Sequence, residues 1–269
     1  MRENSLPLYR VFKCSSALLM ALSVTPCLYA RDAAEIIGHR GGVVDDHRPE
    51  NSAGAAEEAI RRGYWMLEID LDETKDGHIV VHHESFRDFG VRKMAAALTW
   101  NEIQELTSNV DQSHPLEFSQ LAAVCKGKVR LMIDTKQPGH PRSFYEQMEK
   151  VLDDNHLLKS AYFIGTAETR EYFKGKARIS ANEKELSTKL ESGENVSKSY
   201  FLFEHGTTIN EQSMELAKRA KVPVVVSINE YHYAARPDPM AAAHADIDKS
   251  KKLGVRLFQI DSPFDIWLR

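Results

Sequence analysis

Short apolar runs alternate with amphipathic stretches from residue 36 to the end of this 269-residue chain, and no other feature constrains the fold as strongly. Runs of this length suit strands, whereas apolar residues spaced three and four apart suit helices. The strand candidates are residues 36–38, 65–71, 129–134, 161–164, 177–180, 200–203, 222–228 and 255–260. The clearest helical stretches between them are residues 52–62, 141–153, 182–191, 210–220 and 239–253.

Eight strands that alternate with helices over about 240 residues predict a single-domain (β/α)₈ barrel, the TIM-barrel architecture. The alternative is a doubly wound open sheet, which would need a G-x-G-x-x-G turn after its first strand. The first strand candidate is followed instead by His39, Arg40, Gly41 and Gly42, which lack that spacing. We therefore predict an α/β barrel over residues 31–269.

Polar side chains gather at the ends of the strand candidates, which is where barrel enzymes carry their chemistry. They are His39 and Arg40, Glu68 and Asp70, Asp134 and Lys136, and Glu204 and His205. Glu68 and Asp70 lie two residues apart in an otherwise apolar strand, so both point to the same face. Because burying two like charges side by side is costly unless a cation joins them, the pair predicts a divalent ion.

The segment after Asp70 predicts a short hairpin excursion from the barrel. Residues 74–77 are typical of a turn, and residues 79–81 resume strand character too soon for a parallel crossover. The returning strand brings His82 and His83 beside the carboxylate pair. Only one of these histidines can face the pair if both are extended.

The composition and the first 30 residues set further limits. A net charge of -4 and a pI near 6.3 argue against a nucleic-acid partner, which would need clustered Lys and Arg. Three basic residues precede an apolar stretch at 15–24 that is too short to span a bilayer, and a cleavage site follows at Ala30. We predict a signal peptide over residues 1–30 and a secreted or periplasmic protein. An uncleaved membrane anchor and a lipoprotein modified at Cys27 are the alternatives.

A series of short motifs occupies residues 36–84. In order they are Gly38-His39-Arg40-Gly41, Pro49-Glu50-Asn51, Glu68-x-Asp70, Thr74-x-Asp76-Gly77 and Val80-Val81-x-His83. Together they resemble the signature of the glycerophosphodiester phosphodiesterase family, a group of (β/α)₈ barrels that hydrolyse glycerophosphodiesters. The resemblance recurs weakly at Asp134-Thr135-Lys136 and Ile260-Asp261-Ser262-Pro263.

This resemblance implies roles for individual residues. His39 and His83 correspond to the catalytic histidines, and His83 is preferred over His82 because an acidic residue, Glu84, follows it. The implied phosphate-binding residues are Arg40 and Lys136, the implied metal ligands are Glu68, Asp70 and Asp134, and Glu50 is a further ligand or an orienting group. An all-carboxylate set favours Ca²⁺ or Mg²⁺, whereas a Zn²⁺ site with histidine ligands is the alternative.

Three positions depart from the family pattern. Asp134 stands where the family usually has Glu, Glu84 stands where it has Asp, and residues 226–229 replace an aromatic residue followed by Thr. A related group of barrels, the sphingomyelinase D-like phospholipases, also carries Asp two residues before Lys. These departures weaken the assignment of the substrate and leave the reaction class in place.

The resemblance implies a metal-dependent phosphodiesterase that releases glycerol 3-phosphate and an alcohol, with one histidine as general base and the other as general acid. The implied partner is a small glycerophosphodiester or a lipid headgroup, and peripheral membrane contact is compatible with the latter; no protein partner is implied. A phospholipase D-like or phosphoinositide-cleaving barrel and a catalytically dead binding protein are the alternatives. Tyr231 and Tyr233 either contact a quaternary ammonium headgroup or belong to an ordinary loop.

Overall fold

Eight parallel strands close into a barrel in the computed structural model, which describes Met1 and residues 33–269. In chain order the strands are β1 (Glu35–Gly38), β2 (Met66–Glu73), β3 (Ile79–Val81), β4 (Leu116–Glu117), β5 (Arg130–Thr135), β6 (Tyr162–Phe163), β7 (Arg178–Ala181), β8 (Tyr200–His205), β9 (Val224–Ile228) and β10 (Leu257–Ile260). Strands β5 to β10 pair with their neighbours in sequence, β2 pairs with β5, and β1 lies between β10 and β2. The pairing of β1 with both β2 and β10 closes the barrel.

Helices surround the barrel and follow most of its strands. They are α1 (Ala53–Arg61), α2 (Trp100–Gln104), α3 (Phe118–Cys125), α4 (Arg142–Asp154), α5 (Ala167–Phe173), α6 (Glu183–Glu191), α7 (Glu211–Ala220) and α8 (Pro239–Lys252). Most of them begin where a side chain accepts a backbone N–H of the first turn, for example α1 at Ser52, α6 at Asn182 and α7 at Asn210. Within the described residues, no helix combines the length and the apolar character that crossing a bilayer requires.

The core has two layers because side chains of each strand alternate between its faces. On β2, Leu67, Ile69 and Leu71 pack outward into the large cluster shared with the helices. Met66 packs inward with the smaller cluster that fills the barrel, which includes Phe201. Glu68 and Asp70 share the inward face with Met66, so the fold buries their carboxylates at the upper end of the barrel.

The excursion between β2 and β5 forms a three-stranded antiparallel ribbon. Strand β3 pairs with the end of β2, and β4 pairs with β3. The ribbon has a small core of its own, made of Val80, Phe86, Ala95, Leu98 and Ile103. This core holds the return of the hairpin against the barrel.

The predicted fold is confirmed. All eight barrel strands lie where they were expected, with ends that differ by at most two residues. The hairpin after the second strand is confirmed too, but the sequence prediction lacked β4 and α2, so the excursion is larger than a hairpin. Helix α5 was also missed, because only two of its seven residues are buried and its apolar spacing is weak. The predicted signal peptide lies outside the described residues.

Candidate active site

The connection after β1 is a tight turn that places His39 and Arg40 at the mouth of the barrel. Arg40 has φ 51° and ψ 47°, in the left-handed region, and Gly41 follows with φ 90°. A Cβ atom at Gly41 would lie 2.9 Å from the Cα atom of Asn51, so the turn requires glycine there. The backbone N–H of Arg40 donates to Glu68 Oε2 at 2.8 Å, which ties the turn to β2.

His39 is oriented by Asp261, which follows the last strand of the barrel. Its Nδ1 lies 2.5 Å from Asp261 Oδ1, and the other oxygen of Asp261 accepts the backbone N–H of Glu230 at 2.6 Å. The imidazole is buried, and its Nε2 lies 4.0 Å from Glu68 Oε2. The hydrogen bond at Nδ1 therefore leaves Nε2 directed at the acidic cluster of the barrel mouth.

Three carboxylates meet at the upper end of the barrel. Glu68, Asp70 and Asp134 offer ligand atoms that lie within 4.8 Å of one another, and Glu68 and Asp70 are buried. Asn51 fixes one of them, because its Nδ2 donates to Asp70 Oδ2 at 2.8 Å while its Oδ1 accepts the Asp70 N–H. Lys136 Nζ lies 2.7 Å from Asp70 Oδ1 and 2.6 Å from Asp134 Oδ2.

The electrostatics of this cluster suit a cation. Burial and the charge of Asp70 raise the pKa of Glu68 above its ordinary value. Burial opposes ionisation of Asp70 too, but Lys136 lowers the pKa of that carboxyl. Asp70 Oδ1 is buried and accepts no well-formed hydrogen bond, although Lys136 lies close to it. A buried, incompletely satisfied oxygen in an all-oxygen donor set fits a hard divalent ion, in the class of Ca²⁺ or Mg²⁺.

The excursion between β2 and β5 places His83 beside the carboxylate cluster and Arg40. The backbone N–H of His82 donates to the carbonyl of Asp70 at 3.0 Å, which continues the pairing of β2 with the returning chain. His83 Nε2 then lies 3.3 Å from Arg40 Nη2. His82 points away into the core of the excursion, where its ring stacks on Phe86 at 4.0 Å between centroids. The structure thus directs His83, and not His82, to the site.

Arg40 and Glu50 form an ion pair at the edge of the site. Arg40 Nη1 donates to Glu50 Oε2 at 2.7 Å, and both side chains are partly exposed. Among the described residues, Glu50 is not part of the carboxylate cluster. Of the two roles expected for Glu50, this geometry favours orientation of Arg40.

The two histidines differ in protonation. Burial opposes the charge of His39, but the hydrogen bond that its ring N–H donates to Asp261 and the charge of Glu68 raise its pKa above the ordinary value. Burial lowers the pKa of His83 to about 4, and the nearby Lys136 and Arg40 contribute to the lowering. The site therefore favours the charged form of the His39 imidazole and the neutral form of the His83 imidazole, as an acid and a base require.

A cavity of about 510 Å³ opens beside His39. It is bounded by the loop after β1, by the 3-10 helix Glu230–His232 and by the segment after β10. Tyr231 lines this cavity and is 61% exposed. Tyr233 is only 1% exposed, and its hydroxyl donates to Asp246 Oδ2 at 3.0 Å, so it cannot face a substrate. Of the two tyrosines considered from the sequence, only Tyr231 reaches the cavity.

The segment Glu204-His205 also reaches the barrel mouth but does not line the cavity. His205 Nδ1 lies 2.8 Å from Ser227 Oγ, and its ring contacts His232 at 4.3 Å between centroids. His232 in turn contacts Tyr231 at 4.1 Å. This row of rings supports Tyr231 from the side of β8.

Sequence reasoning assigned no role to two residues of this site. Asp261 lies in the Ile260-Asp261-Ser262-Pro263 motif. Its contact with His39 joins residues 222 positions apart in the chain, and it follows only from closure of the barrel. Asn51 also belonged to a noted motif, and its φ of 55° shows that it closes the turn as well as binding Asp70. The sequence feature that could have indicated a role for Asn51 is its position directly after Glu50, inside a dense motif.

Comparisons with known proteins agree with the architecture and the motifs. The model of the glycerophosphoryl diester phosphodiesterase family matches residues 39–253. A Mycobacterium tuberculosis protein named probable glycerophosphodiester phosphodiesterase 2 is 27% identical over 137 residues, which is 48% of this chain and 51% of that protein. The chain thus spans about half the length of this curated relative.

Solved structures share the fold. A glycerophosphodiester phosphodiesterase from Parabacteroides distasonis aligns with a TM-score of 0.66 and 19% identity, over 87% of this chain and 95% of that one. An Oleispira antarctica phosphodiesterase, solved in complex with the product sn-glycerol-3-phosphate, aligns with a TM-score of 0.68 and 16% identity, over 87% of this chain and 95% of that one. The family match confirms the resemblance seen in the sequence.

Proposed function

Because this chain belongs to the glycerophosphoryl diester phosphodiesterase family, we propose that it hydrolyses glycerophosphodiesters to glycerol 3-phosphate and an alcohol. The observation that carries the proposal is the convergence of two histidines and two basic side chains on a buried carboxylate cluster at the barrel mouth. The complex of the Oleispira relative with its product supports the same reaction.

His39 and His83 perform the proton transfers in this proposal. A phosphodiester needs a base to activate the nucleophile and an acid to protonate the leaving oxygen, and each contributes roughly 10²- to 10⁴-fold. Asp261 favours the charged form of His39, which suits the acid, and His83 stays neutral, which suits the base. The nucleophile is water or a neighbouring hydroxyl of the substrate.

Arg40 and Lys136 bind the phosphate oxygens and offset their charge. The guanidinium of Arg40 is held by Glu50 in reach of the cavity, and Lys136 is anchored by Asp70 and Asp134. Glu68, Asp70 and Asp134 would hold a divalent cation. When bound, such an ion neutralises the negative charge that develops on the phosphate oxygens in the transition state.

Release of glycerol 3-phosphate from glycerophosphocholine tests the proposal. The purified protein is assayed with Ca²⁺, with Mg²⁺ and with EDTA, beside the His39→Ala variant. We expect turnover that depends on the ion and falls at least about 100-fold in the variant. Parallel assays with lysophosphatidylcholine and sphingomyelin test the lipid alternative. Cleavage of the lipids alone would contradict the proposed substrate class, and absence of turnover on every substrate would favour a binding protein.

A further inference from the structure

The end of the barrel opposite the candidate site concentrates basic side chains. Seven connections lead there from a helix back to a barrel strand, and we call the surface that they form the basal face. Every one of these connections contains a lysine or an arginine. Within them, and the structure describes them all, the only carboxylate is that of Glu194. A chain of net charge -4 thus gathers positive charge at one end of its barrel.

Four lysines of the basal face have no partner among the described residues. Lys128, Lys159, Lys198 and Lys221 are exposed, and their ammonium groups form neither an ion pair nor a hydrogen bond there. They precede β5, β6, β8 and β9, which together with β7 follow one another around the barrel. The free charges therefore form an arc along one side of the basal face.

Stabilisation of helix ends does not account for this arc. Helices end at the basal face, where a cation can offset the partial negative charge of the last carbonyl groups. Lys126 does so, because its Nζ donates to the carbonyl of Asp154 at 3.0 Å. The four free lysines make no such bond within the described residues. Lys221 even stands at φ 55°, in the left-handed conformation for which glycine is the usual residue at a helix end.

The carboxylates near the arc do not cancel its charge. Glu194 pairs with Lys174 at 3.0 Å. Two guanidiniums add to the free lysines, since Arg130 contacts a ring and Arg178 donates to backbone carbonyls. Among the described residues, three carboxylates at the edge of the face have no ion pair, those of Glu35, Asp153 and Glu191. The basal face therefore keeps a net positive charge.

A cavity of about 500 Å³ opens on the basal face at one end of the arc. The half-buried ring of Trp65 lines it, and the guanidinium of Arg130 lies 4.5 Å from the centroid of that ring. Lys128 and His156 are exposed in the same lining, and none of the lining residues is acidic. A tryptophan ring below exposed cations is typical of surfaces that contact lipid headgroups.

We propose that the basal face binds the surface of an anionic phospholipid bilayer, with the lipid phosphates as its ligands. Each lysine close to such a surface strengthens binding about fivefold. The free charges are flexible lysines in four separate connections, whereas recognition of nucleic acid favours arginine pairs or a continuous groove with aromatic rings. Because the basal face is the opposite end of the barrel from the site, a protein bound in this way keeps its active-site mouth directed at the solvent.

Cosedimentation of the full chain with vesicles tests this inference, and it does not depend on turnover. Vesicles of phosphatidylcholine alone are compared with vesicles that also contain phosphatidylglycerol. The basal variant carries Lys128→Gln, Lys159→Gln and Lys221→Gln. The control variant has the same net charge and carries Lys75→Gln, Lys93→Gln and Lys184→Gln, at exposed lysines of the excursion and of the first turn of α6.

We expect binding that requires phosphatidylglycerol, weakens at high salt, and falls about 100-fold in the basal variant but less than about twofold in the control. Equal binding to both kinds of vesicle, or equal loss in the two variants, would overturn the inference. Two further arms test other anions. Displacement from the vesicles by inorganic phosphate at the concentration of the lipid phosphate, or tighter binding to duplex DNA than to the anionic vesicles, would also overturn it.

Discussion

In the proposed reaction Asp261 acts through His39, because its carboxylate touches the imidazole and lies on the far side of it from the acidic cluster. The carboxylate fixes the position of the ring and favours its charged form. Its role resembles that of the orienting acid in other acid–base sites, where removal of the charge alone is costly.

We predict that Asp261→Asn lowers kcat about 100-fold or more while leaving the fold and the affinity for Ca²⁺ or Mg²⁺ nearly unchanged. Asparagine keeps the shape of the side chain but removes the charge that raises the pKa of His39. If the charged imidazole is the acid, the fall in activity at high pH should begin at a lower pH in the variant. A pH profile of kcat measures this shift, and an unchanged profile would contradict the positioning role.

For single residues, the sequence predicts which site residues lie together when they are close in the chain. It does not predict side-chain contacts between strands that are distant in the chain. Glu68 and Asp70 could be paired because strand alternation puts them on one face, and a turn signal brought back His83. The contact of Lys136 with Asp70 and that of Asp261 with His39 depend on neighbouring strands and on closure. Tyr231 and Tyr233 follow the same strand and look equivalent in the sequence, but the local chain direction buries Tyr233 and exposes Tyr231.

Among the elements, the excursion between β2 and β5 is the one that the site depends on most. It contributes His83, and its position is fixed by pairing of β3 with β2 and by the small core around Phe86. Phe86 is fully buried and stacks on His82, the neighbour of His83. The strength of this small core therefore controls the geometry of one candidate catalytic group.

We predict that Phe86→Ala lowers the free energy of unfolding by about 3–5 kcal/mol and also reduces kcat at temperatures where the barrel remains folded. The cavity left by the ring loosens the return of the hairpin and hence the position of His83. Val110→Ala, at a 41% exposed position of the same excursion, is the matched control and should change stability by less than about 0.5 kcal/mol. Denaturant unfolding and steady-state kinetics measure the two effects. Full activity in a destabilised Phe86 variant would show that His83 is held by the barrel alone.

For the whole molecule, the acidic cluster would couple the binding of a cation to stability. Three carboxylates are concentrated at one end of the barrel, and Lys136 offsets only part of their charge. An ion that binds the folded protein and not the unfolded chain stabilises the fold by about 2.7 kcal/mol when its concentration is 100 times Kd.

We predict that saturating Ca²⁺ or Mg²⁺ raises Tm by roughly 5–10 °C relative to EDTA. Asp134→Asn should abolish most of this rise, because it removes one candidate ligand. The same variant should not lose stability in EDTA, because one of the mutually repelling charges is gone. Differential scanning calorimetry with each ion measures these changes. A rise produced by Zn²⁺ alone would favour histidine ligands over the carboxylate set.

The contact between His39 and Asp261 also bears on the order of events during synthesis. His39 follows the first strand of the barrel and Asp261 follows the last, and these strands are neighbours where the barrel closes. Residues 35–135, which carry β1, β2 and the carboxylate cluster, leave the ribosome long before residue 261 does. The candidate acid acquires its charged partner only when β10 docks beside β1. The candidate site is therefore complete only after the last strand has docked, and a chain without β10 would lack the charged partner of His39.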